Sequence, residues 1–472
     1  MPLTLPQRWA HAWGQALDRV LLVTRGDVTV RFQGDELLET TEAIAGELAS
    51  QGVGPRDRVV WEASTSGDAI VTALAIIRLG AVLVPVATFQ SDLERQRVID
   101  DVTPVIVVAE KRTGVAEQYR HRAQGRVGIV ESPVHLDQAQ GDHLAMIMYT
   151  SGTTGLPKGA MISHENLRAQ ADMIIGSWEV SPEDRLLSAL PLFHVHGLVV
   201  GLMISLAAGA GVVVMERFEA DGFADLMTEE AITTSYVVPT MLQRLGERGR
   251  LSALSPLRLV VSGSAALSTA MFEDVERASR QRILERYGMT ETLLTVSNPL
   301  HGQRRSGTVG RAFPGVELEL PEKGGEAELR VKSPTVFAGY WKRPEATAEV
   351  LSDGWMRSGD IVRVDEAGYV VVCGRSKELI ISGGFNVYPT EIEDLLRGRG
   401  GIEDVAVVGI ASERWGEEVV AYVVGEDFAE DVVRRELEAL ASPYKRPQQY
   451  RRVAQLPRNA LGKLQRHLIT DA

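Results

Sequence analysis

Apolar segments of two kinds alternate along the first half of the chain, and this alternation restricts the possible folds more than any other feature. Residues 69–79 are largely apolar and predict a buried helix, which Gly80 ends. Residues 82–86 and 105–108 are short valine-rich runs that predict buried strands. Because such strands are apolar on both faces, helices must cover both sides of their sheet. The sequence therefore predicts layered α/β sheets.

The pattern of predicted strands and helices changes twice after this region. Further buried strands are predicted at residues 186–190, 212–215, 235–238 and 257–261. Short strands separated by turn residues then follow at residues 316–320, 327–331 and 369–372, and they predict a β-barrel-like part. The last quarter predicts helices at 391–396 and 432–440 and strands at 405–409 and 419–424. The helix at 391–396 has a possible capping box, with Thr390 as N-cap and Glu393 as its partner.

A chain of 472 residues is too long for one ordinary core, so at least two domains are expected. The second change in the pattern of predicted elements lies near residue 375. No long Pro/Gly/Ser linker is present there, so a tight hinge is predicted. The predicted fold class is α/β (α+β). A large N-terminal domain would span residues 1–375, and a small mobile C-terminal α+β domain would span residues 376–472.

Composition excludes several classes of function. Acidic residues outnumber basic ones by 63 to 50, and the net charge of −13 argues against a broad nucleic-acid surface. The one cysteine, Cys373, allows no internal disulfide and favours a reducing, cytoplasmic setting, and the N-terminus lacks the apolar core of a secretory signal. Residues 197–215 carry no charge, but Ala and Gly interrupt them at 207–211. We expect a buried helix, a turn and a strand there, and no membrane span.

The most informative local motif is a loop rich in hydroxyls and glycines that follows an apolar strand. It consists of Thr150, Ser151, Gly152, Thr153, Thr154, Gly155, Leu156, Pro157, Lys158 and Gly159. Glycines permit tight turns with exposed amides, and the hydroxyls and the lysine add donors, so the loop can cradle a polyphosphate. It is not a Walker-type P-loop, because a glycine and no Ser or Thr follows the lysine. The alternative is a solvated turn.

With this loop, four later motifs in the same order resemble the adenylate-forming superfamily of acyl-CoA synthetases, luciferases and peptide-synthetase adenylation domains. The second motif is Tyr287, Gly288, Met289, Thr290, Glu291 and Thr292. The resemblance implies that Tyr287 lies near the adenine, Thr290 contacts the α-phosphate, and Glu291 holds Mg²⁺ together with Thr150. Carboxylates are hard oxygen ligands that suit this ion. Seen alone, the motif would be an ordinary turn.

The remaining motifs resemble the family's ribose, hinge and catalytic positions. Asp360 and Arg375 match the ribose contacts, and a carboxylate can accept from two vicinal hydroxyls. Lys377 matches the hinge, and Ser382, Gly383 and Gly384 match the loop that lines the coenzyme A tunnel. Lys463 matches the lysine between carboxylate and α-phosphate, and a cation there would offset the charge that develops. The catalytic set implied is Lys463, Glu291, Thr150, His194 and Lys377, with ATP, Mg²⁺ and coenzyme A as cofactors.

Two arginines near the expected acyl pocket suggest a substrate with a second carboxylate, which arginine binds in a bidentate way. The surrounding stretches resemble malonyl-CoA and methylmalonyl-CoA synthetases, and by that resemblance His196, Arg244, Ser264 and Arg286 would surround the distal carboxylate. The alternative for each arginine is a structural ion pair, for instance with Glu285. The expected partners are a small dicarboxylic acid, ATP and coenzyme A, without nucleic acid or membrane, in a monomer or homodimer.

Three functions remain open on the sequence. The first is a malonate-type CoA ligase that releases AMP and pyrophosphate, with another small acid as the alternative substrate. The second is a stand-alone adenylation enzyme that loads a carrier protein, and the third is a non-catalytic nucleotide sensor. The lysine, glutamate and aspartate of the motifs argue against the sensor, because a degenerate relative should lose them first.

Overall fold

The computed structural model describes residues 2–109, 134–150, 157–322, 325–382, 385–412, 416–441, 443–459 and 462–469. Its α-helices are α1 (Leu5–Gly14), α2 (Gly34–Ser50), α3 (Gly67–Arg78), α4 (Asp92–Val102), α5 (His164–Trp178), α6 (Ile204–Ala207), α7 (Ala220–Glu229), α8 (Pro239–Glu247), α9 (Thr269–Ser279), α10 (Pro344–Val350), α11 (Pro389–Leu396) and α12 (Glu430–Leu440). A π-helix, His196–Met203, leads directly into α6.

The strands fall into two groups along the chain. The first group is β1 (Val20–Arg25), β2 (Thr29–Gln33), β3 (Arg58–Glu62), β4 (Val82–Val86), β5 (Ile106–Val108), β6 (Leu144–Thr150), β7 (Lys158–Ser163), β8 (Arg185–Ser188), β9 (Gly211–Met215), β10 (Thr234–Val237), β11 (Leu259–Ser262), β12 (Leu284–Met289), β13 (Leu293–Ser297) and β14 (Arg311–Ala312). The second is β15 (Glu317–Glu319), β16 (Ala327–Lys332), β17 (Leu351–Ser352), β18 (Trp355–Val364), β19 (Val370–Arg375), β20 (Ile380–Ser382), β21 (Phe385–Val387), β22 (Asp404–Ser412), β23 (Gly416–Val424) and β24 (Gln449–Arg452).

The chain divides into two compact units. The first contains residues 1–306, 312–317 and 332–356, and the second contains residues 307–311, 318–331 and 357–472. The first unit is built on a nine-stranded sheet of order β14-β13-β12-β11-β10-β8-β9-β1-β2 and a five-stranded sheet of order β5-β3-β4-β6-β7. The predicted α/β class, with a small α+β region at the C-terminus, is confirmed. The domain boundary predicted after residue 375 stays a prediction.

The middle of the nine-stranded sheet is parallel, and this places several loops at one edge. Strands β8, β10, β11 and β12 all pair in parallel with their neighbours in this region. Their residues are almost all buried, because helices pack on both faces of a parallel sheet. The loops that follow β8 and β11 therefore begin at the same edge, where α/β proteins commonly bind ligands.

Two further sheets are formed by the strands from β15 onward. One contains β15, β16, β18 and β19, with the short β17 forming a hairpin with the start of β18. The other contains β20 to β24, with the long antiparallel pair β22 and β23 at its centre. Helices α11 and α12 supply Ile392, Leu396, Val433 and Leu437 to the buried core of this second sheet. The amphipathic pattern predicted at 432–440 is the reason that α12 packs in this way.

Most predicted elements form within one to three residues of their expected ends, but one local prediction was wrong. Helix α11 begins at Pro389 with Tyr388 as its N-cap, so Thr390 lies inside the first turn. The Thr390 hydroxyl donates to the Cys373 carbonyl at 2.7 Å, and the Glu393 carboxylate accepts from the Val407 amide at 2.7 Å. Proline fits the first helical position because it needs no amide donor there. Both side chains therefore form hydrogen bonds with other elements instead of a capping box.

The uncharged segment at 197–215 folds as expected. It forms the π-helix, α6, a turn and the buried strand β9. Within the described ranges, no helix combines the length and apolar character that crossing a bilayer requires.

Candidate active site

The two strands beside the hydroxyl-rich loop bring its ends together. Strands β6 and β7 are antiparallel, with Thr150 opposite Lys158, and the Thr150 hydroxyl donates to the Lys158 carbonyl at 3.4 Å. The predicted ATP contacts between them, Ser151, Gly152, Thr153, Thr154 and Gly155, lie outside the described residues. The Lys158 ammonium lies 5.2 Å from the centre of the Tyr340 ring. The loop thus begins and ends at one point beside this tyrosine.

The second motif reaches the same tyrosine. The Tyr340 hydroxyl donates to the buried Glu291 carboxylate at 2.9 Å, so Lys158 and Glu291 contact the same tyrosine, one over its ring and the other at its hydroxyl. Gly288 permits the turn that places Glu291, because a Cβ there would lie 2.0 Å from the Leu293 carbonyl oxygen. The structure therefore brings together a cation and a carboxylate from two motifs that are far apart in the sequence. Tyr287, Met289 and Thr290 are half-buried beside them.

The residues present fit a Mg²⁺ ion only with help from a substrate. Glu291 offers a buried carboxylate, and the described part of the chain contains no cluster of three or more His, Cys, Asp or Glu side chains around one point. Mg²⁺ is commonly held by one or two carboxylates together with phosphate oxygens and water. Glu291, with Thr150 as a further oxygen donor, suits this mode of binding.

The ribose and lysine motifs lie close together within the second unit. Asp360 and Arg375 are opposite each other on β18 and β19, and the Arg375 Nε lies 2.9 Å from the Asp360 carboxylate. The pKa of Lys463 is lowered by partial burial of its ammonium, with Arg375 adding to the shift and Asp360 and Glu378 opposing it. Lys463 as a whole remains exposed. These three predicted site residues therefore share one electrostatic environment.

The hinge and coenzyme A positions are described only in part. Lys377 lies in a single 3₁₀ turn, Ser376–Glu378, and its side chain is outside the described residues. Ser382 is buried at the end of β20, whereas Gly383 and Gly384 lie outside the described residues. These roles stay predictions.

The predicted acyl pocket is a buried polar cluster in the first unit. The loop after β8 leads to His196, the first residue of the π-helix, and the loop after β11 carries Ser264. The Ser264 hydroxyl lies 3.1 Å from His196 Nδ1, and Ser264 has a φ of +69°, in the left-handed region. Backbone strain of this kind occurs at functional sites, although nine other non-glycine residues of the described chain also have a positive φ. The structure thus joins two residues that are 68 positions apart in the sequence.

Arg286 completes this cluster and has an unusual environment. Its side chain is buried, and neither its Nε nor its Nη2 atom has a hydrogen-bond partner among the described residues. Burial lowers its pKa to about 9. Glu285, the counter-ion considered from the sequence, accepts instead from the Leu267 amide at 3.2 Å, since adjacent strand residues point to opposite faces. A buried guanidinium without a counter-ion is costly unless a ligand supplies one.

The predicted pocket residue Arg244 and the predicted catalytic residue His194 both differ from Arg286 in their surroundings. Arg244 is exposed at the end of α8, with its guanidinium 5.1 Å from the centre of the Phe218 ring. His194 is half-buried with its ring 4.4 Å from that of Phe193, and burial lowers its pKa to about 4. The contacts described for Arg244 do not include the Arg286 cluster, so its role at the distal carboxylate stays a prediction.

Three further residues belong to these clusters but were not identified from the sequence. A Cβ on Gly263 would lie 2.4 Å from Arg286 Cζ, so glycine leaves room for the guanidinium in its present position. The buried Tyr236 ring stacks beside His196 at a centroid distance of 6.4 Å. Tyr340 links Lys158 to Glu291 as described above. A glycine next to a hydroxyl residue after a predicted strand could have indicated Gly263, but the two tyrosines have no local sequence signal.

Comparison with known proteins agrees with this geometry. Residues 9–341 match the AMP-binding enzyme family, and residues 391–463 match the AMP-binding enzyme C-terminal domain. An indoleacetate–CoA ligase of Aromatoleum aromaticum is 35% identical over 95% of this chain and 96% of its own. A mitochondrial malonate–CoA ligase of Mus musculus is 32% identical over 95% of this chain and 87% of its own. The crystal structure of ATP-bound MatB from Rhodopseudomonas palustris matches with a TM-score of 0.88 and 34% identity, over 99% of this chain and 98% of that one.

These matches cover the whole range over which the five motifs occur, and they confirm the resemblance inferred from those motifs. The chain belongs to the AMP-binding enzyme family.

Proposed function

We propose that this chain ligates malonate, or a closely related small dicarboxylic acid such as methylmalonate, to coenzyme A. The chain is an acid–CoA ligase that works through an acyl-adenylate and uses ATP, Mg²⁺ and coenzyme A. The finer choice of a dicarboxylic acid depends on one observation. It is the buried Arg286 guanidinium, which has two nitrogen atoms without a described partner.

The free donors of Arg286 match a carboxylate in shape and charge. Nε and Nη2 form one edge of the guanidinium fork, and this edge binds the two oxygens of a carboxylate in parallel. In a buried site the pairing is strong, because neither group is solvated by water once the acid is bound. A monocarboxylic acid offers no second anion and would leave the guanidinium unpaired.

We assign a further donor to His196, whose ring lies near enough to Arg286 to be affected by its charge. Its pKa lies well below the usual range because of burial, with Arg286 and His194 adding to the shift, so the ring is neutral. If the Ser264 hydroxyl donates to Nδ1, the ring proton is on Nε2, a buried atom that has no partner in the described part of the chain. Nε2 and the guanidinium would then donate to the same carboxylate.

The space around the cluster favours a short acid. Tyr236 packs on His196, and the buried Trp178 ring packs edge-on against Tyr236 at 5.6 Å. These two rings lie beside the histidine, and we propose that they limit the length of the acid. An aryl acid would meet both this packing and an unsatisfied guanidinium.

The chemistry follows from the positions of the charges. One carboxylate oxygen of the acid attacks the α-phosphorus of ATP, the bond to the bridging oxygen breaks, and pyrophosphate leaves with the electron pair. Lys463 would neutralise charge that builds between the two anions, and Glu291 with Thr150 would hold Mg²⁺ at the phosphates. The thiolate of coenzyme A then attacks the acyl carbon, and AMP leaves. The lowered pKa of Lys463 reflects a partly desolvated cation, whose charge acts more strongly.

Two other functions are tested by the same experiment. One is ligation of another small acid, and the other is transfer of the acyl group to a carrier protein. We would measure pyrophosphate release with ATP and Mg²⁺ for malonate, methylmalonate, succinate, acetate, butyrate and benzoate. Monomethyl malonate is the matched control, because it removes the distal charge and adds only one methyl group. Coenzyme A and a phosphopantetheinylated carrier protein would be compared as acceptors.

The expected result is turnover of malonate or methylmalonate with coenzyme A, with kcat/KM about 10³-fold above that for monomethyl malonate. Equal turnover of malonate and its monomethyl ester would refute the role of the distal charge. Acyl transfer to the carrier protein alone would identify the second function.

A further inference from the structure

The loop that carries Lys463 is closed by its own hydrogen bonds. The Lys463 amide donates to the Asn459 side-chain oxygen at 2.9 Å, and the Asn459 amide donates to the Lys463 carbonyl at 2.9 Å. Gly462 has a φ of +74°, which a tight turn of this kind requires and which glycine adopts without strain. The backbone at Lys463 is therefore held in one shape, although the lysine side chain itself is long and flexible.

Two arginines on either side of this loop fix it to the second unit. Arg458 donates to both Asp404 carboxylate oxygens at 2.7 and 2.9 Å, and to the Gly462 carbonyl at 2.7 Å. Arg466 donates to Glu378 at 2.6 Å and to Glu393 at 2.6 Å. The first of these arginines lies at the exposed side of the loop, whereas the second is mostly buried, with 13% of its side chain exposed.

Arg466 has carboxylate partners from two separate parts of the chain. Glu378 directly follows Lys377, which matches the hinge position, and Glu393 belongs to helix α11. Glu393 is itself fixed, because its other oxygen accepts from the Val407 amide of β22 at 2.7 Å. Burial raises the pKa of Glu393, and Arg466 opposes this shift. A single guanidinium thus ties the residue after the hinge, a helix and the lysine loop to each other.

We propose that Arg466 is a positioning residue for Lys463, and that its two carboxylate partners keep the lysine ammonium where the adenylation step needs it. The inference depends on the proposed function in assigning Lys463 to adenylation. Arg466 lies three residues beyond Lys463. Its guanidinium binds two carboxylates, and these contacts fix the orientation of the chain that follows Lys463. Small displacements of a catalytic group cost much of its effect, because charge stabilisation requires a preorganised position.

The test compares two half-reactions in Arg466→Met, Arg466→Lys and the control Arg435→Met. Arg435 is an exposed arginine of the same unit on α12, so it matches the charge change without touching the lysine loop. Adenylation is measured as pyrophosphate release without coenzyme A, using whichever acid the unaltered enzyme turns over fastest. Thioester formation is measured with coenzyme A and a chemically prepared adenylate of the same acid.

The expected result is a loss of about a hundredfold in adenylation for Arg466→Met, with thioester formation within about threefold of the unaltered enzyme. Arg466→Lys should recover part of the loss by pairing with one of the two carboxylates. Equal losses in both half-reactions would mean that Arg466 serves only to keep the unit folded, and no loss in either would equally overturn the proposal.

A second measurement tests the role of Arg466 even if no acid is adenylated and the proposed function fails. A lysine-specific protease should cleave after Lys463 several times faster in Arg466→Met than in Arg435→Met, because the freed loop opens more often. An unchanged cleavage rate would contradict the proposal whatever the substrate is.

Discussion

Two buried arginines of this protein have opposite surroundings. Arg286, in the first unit, has no ion pair within the described ranges, and two of its nitrogen atoms lack a described partner. Arg466, in the second unit, donates to two carboxylates at 2.6 Å each. Burial lowers the pKa of Arg286 to about 9, whereas the pKa of Arg466 is raised because Glu393 and Glu378 outweigh the effect of burial.

The difference indicates what each guanidinium is for. A charge that is paired within the protein helps to define a shape, and losing it leaves buried carboxylates without a partner. A charge that is buried without a partner weakens the folded state until a ligand supplies the missing charge. We therefore propose that the same residue type holds a loop in one unit and selects a substrate in the other.

The largest expected effect is on the unpaired arginine. Arg286→Met should lower kcat/KM for malonate by about 10³-fold, because a desolvated carboxylate would lose its bidentate partner. Activity with butyrate should fall far less. Arg248→Met is the matched control, since Arg248 is an exposed arginine of the same unit that pairs with Asp221. A parallel loss with both acids would mean that Arg286 acts on folding and not on the distal carboxylate.

The Arg286 and Arg466 substitutions should change stability in opposite directions. Arg466→Met should lower the free energy of unfolding of its unit by about 3 kcal/mol, because two carboxylates lose their cation. Arg286→Met should raise the stability of the ligand-free protein by about 1 kcal/mol, because it removes an uncompensated buried charge. Chemical denaturation of both variants, without substrate, measures this. Destabilisation by Arg286→Met of the same size would show that Arg286 is paired in solution.

A smaller effect is expected when the space beside Arg286 is filled. In Gly263→Ala the new methyl group would lie 2.4 Å from Arg286 Cζ, so the guanidinium must move. We expect kcat/KM for malonate to fall by about tenfold to a hundredfold, with a smaller change for butyrate. Gly246→Ala is the control, since the nearest atom to a Cβ there is 3.5 Å away. Unchanged malonate kinetics would mean that the guanidinium has room to shift without loss.

The smallest effect concerns stability at low pH and depends on His196, in the cluster with Ser264 and Arg286. Because the pKa of His196 is well below its value of 6.5 in the unfolded chain, unfolding takes up a proton as the pH falls below 6.5. Stability is then complete above pH 6.5 and decreases below it, by at most about 1.4 kcal/mol per pH unit from this one histidine. Urea denaturation of His196→Gln should show a shallower acid slope, whereas the exposed control His11→Gln should not. Identical slopes in both variants would place the charged form of His196 in the folded protein.

Much of the fold could be predicted, and the candidate nucleotide site could be located, because the signals are local. The apolar runs at 82–86 and 212–215 became buried strands, and the ordered motifs indicated Glu291, Asp360 and Lys463 without any knowledge of contacts. The capping box at Thr390 failed for the same reason, since a local pattern cannot show that Cys373 and Val407 offer better partners. Arg244 and Arg286 looked equivalent in the sequence, yet one is exposed and the other buried.

The sequence by itself determined the class of fold, the family and the positions of the motifs, because periodicity and motif order are properties of neighbouring residues. Only the tertiary structure decided which arginine has no ion pair among the described residues, why position 263 has little room for a side chain, and that Arg466 joins Glu378 and helix α11 to the loop of Lys463. Burial and pairing depend on residues far apart in the chain, such as Glu378 and Arg466 at a separation of 88 positions, and no local pattern encodes a contact over that distance.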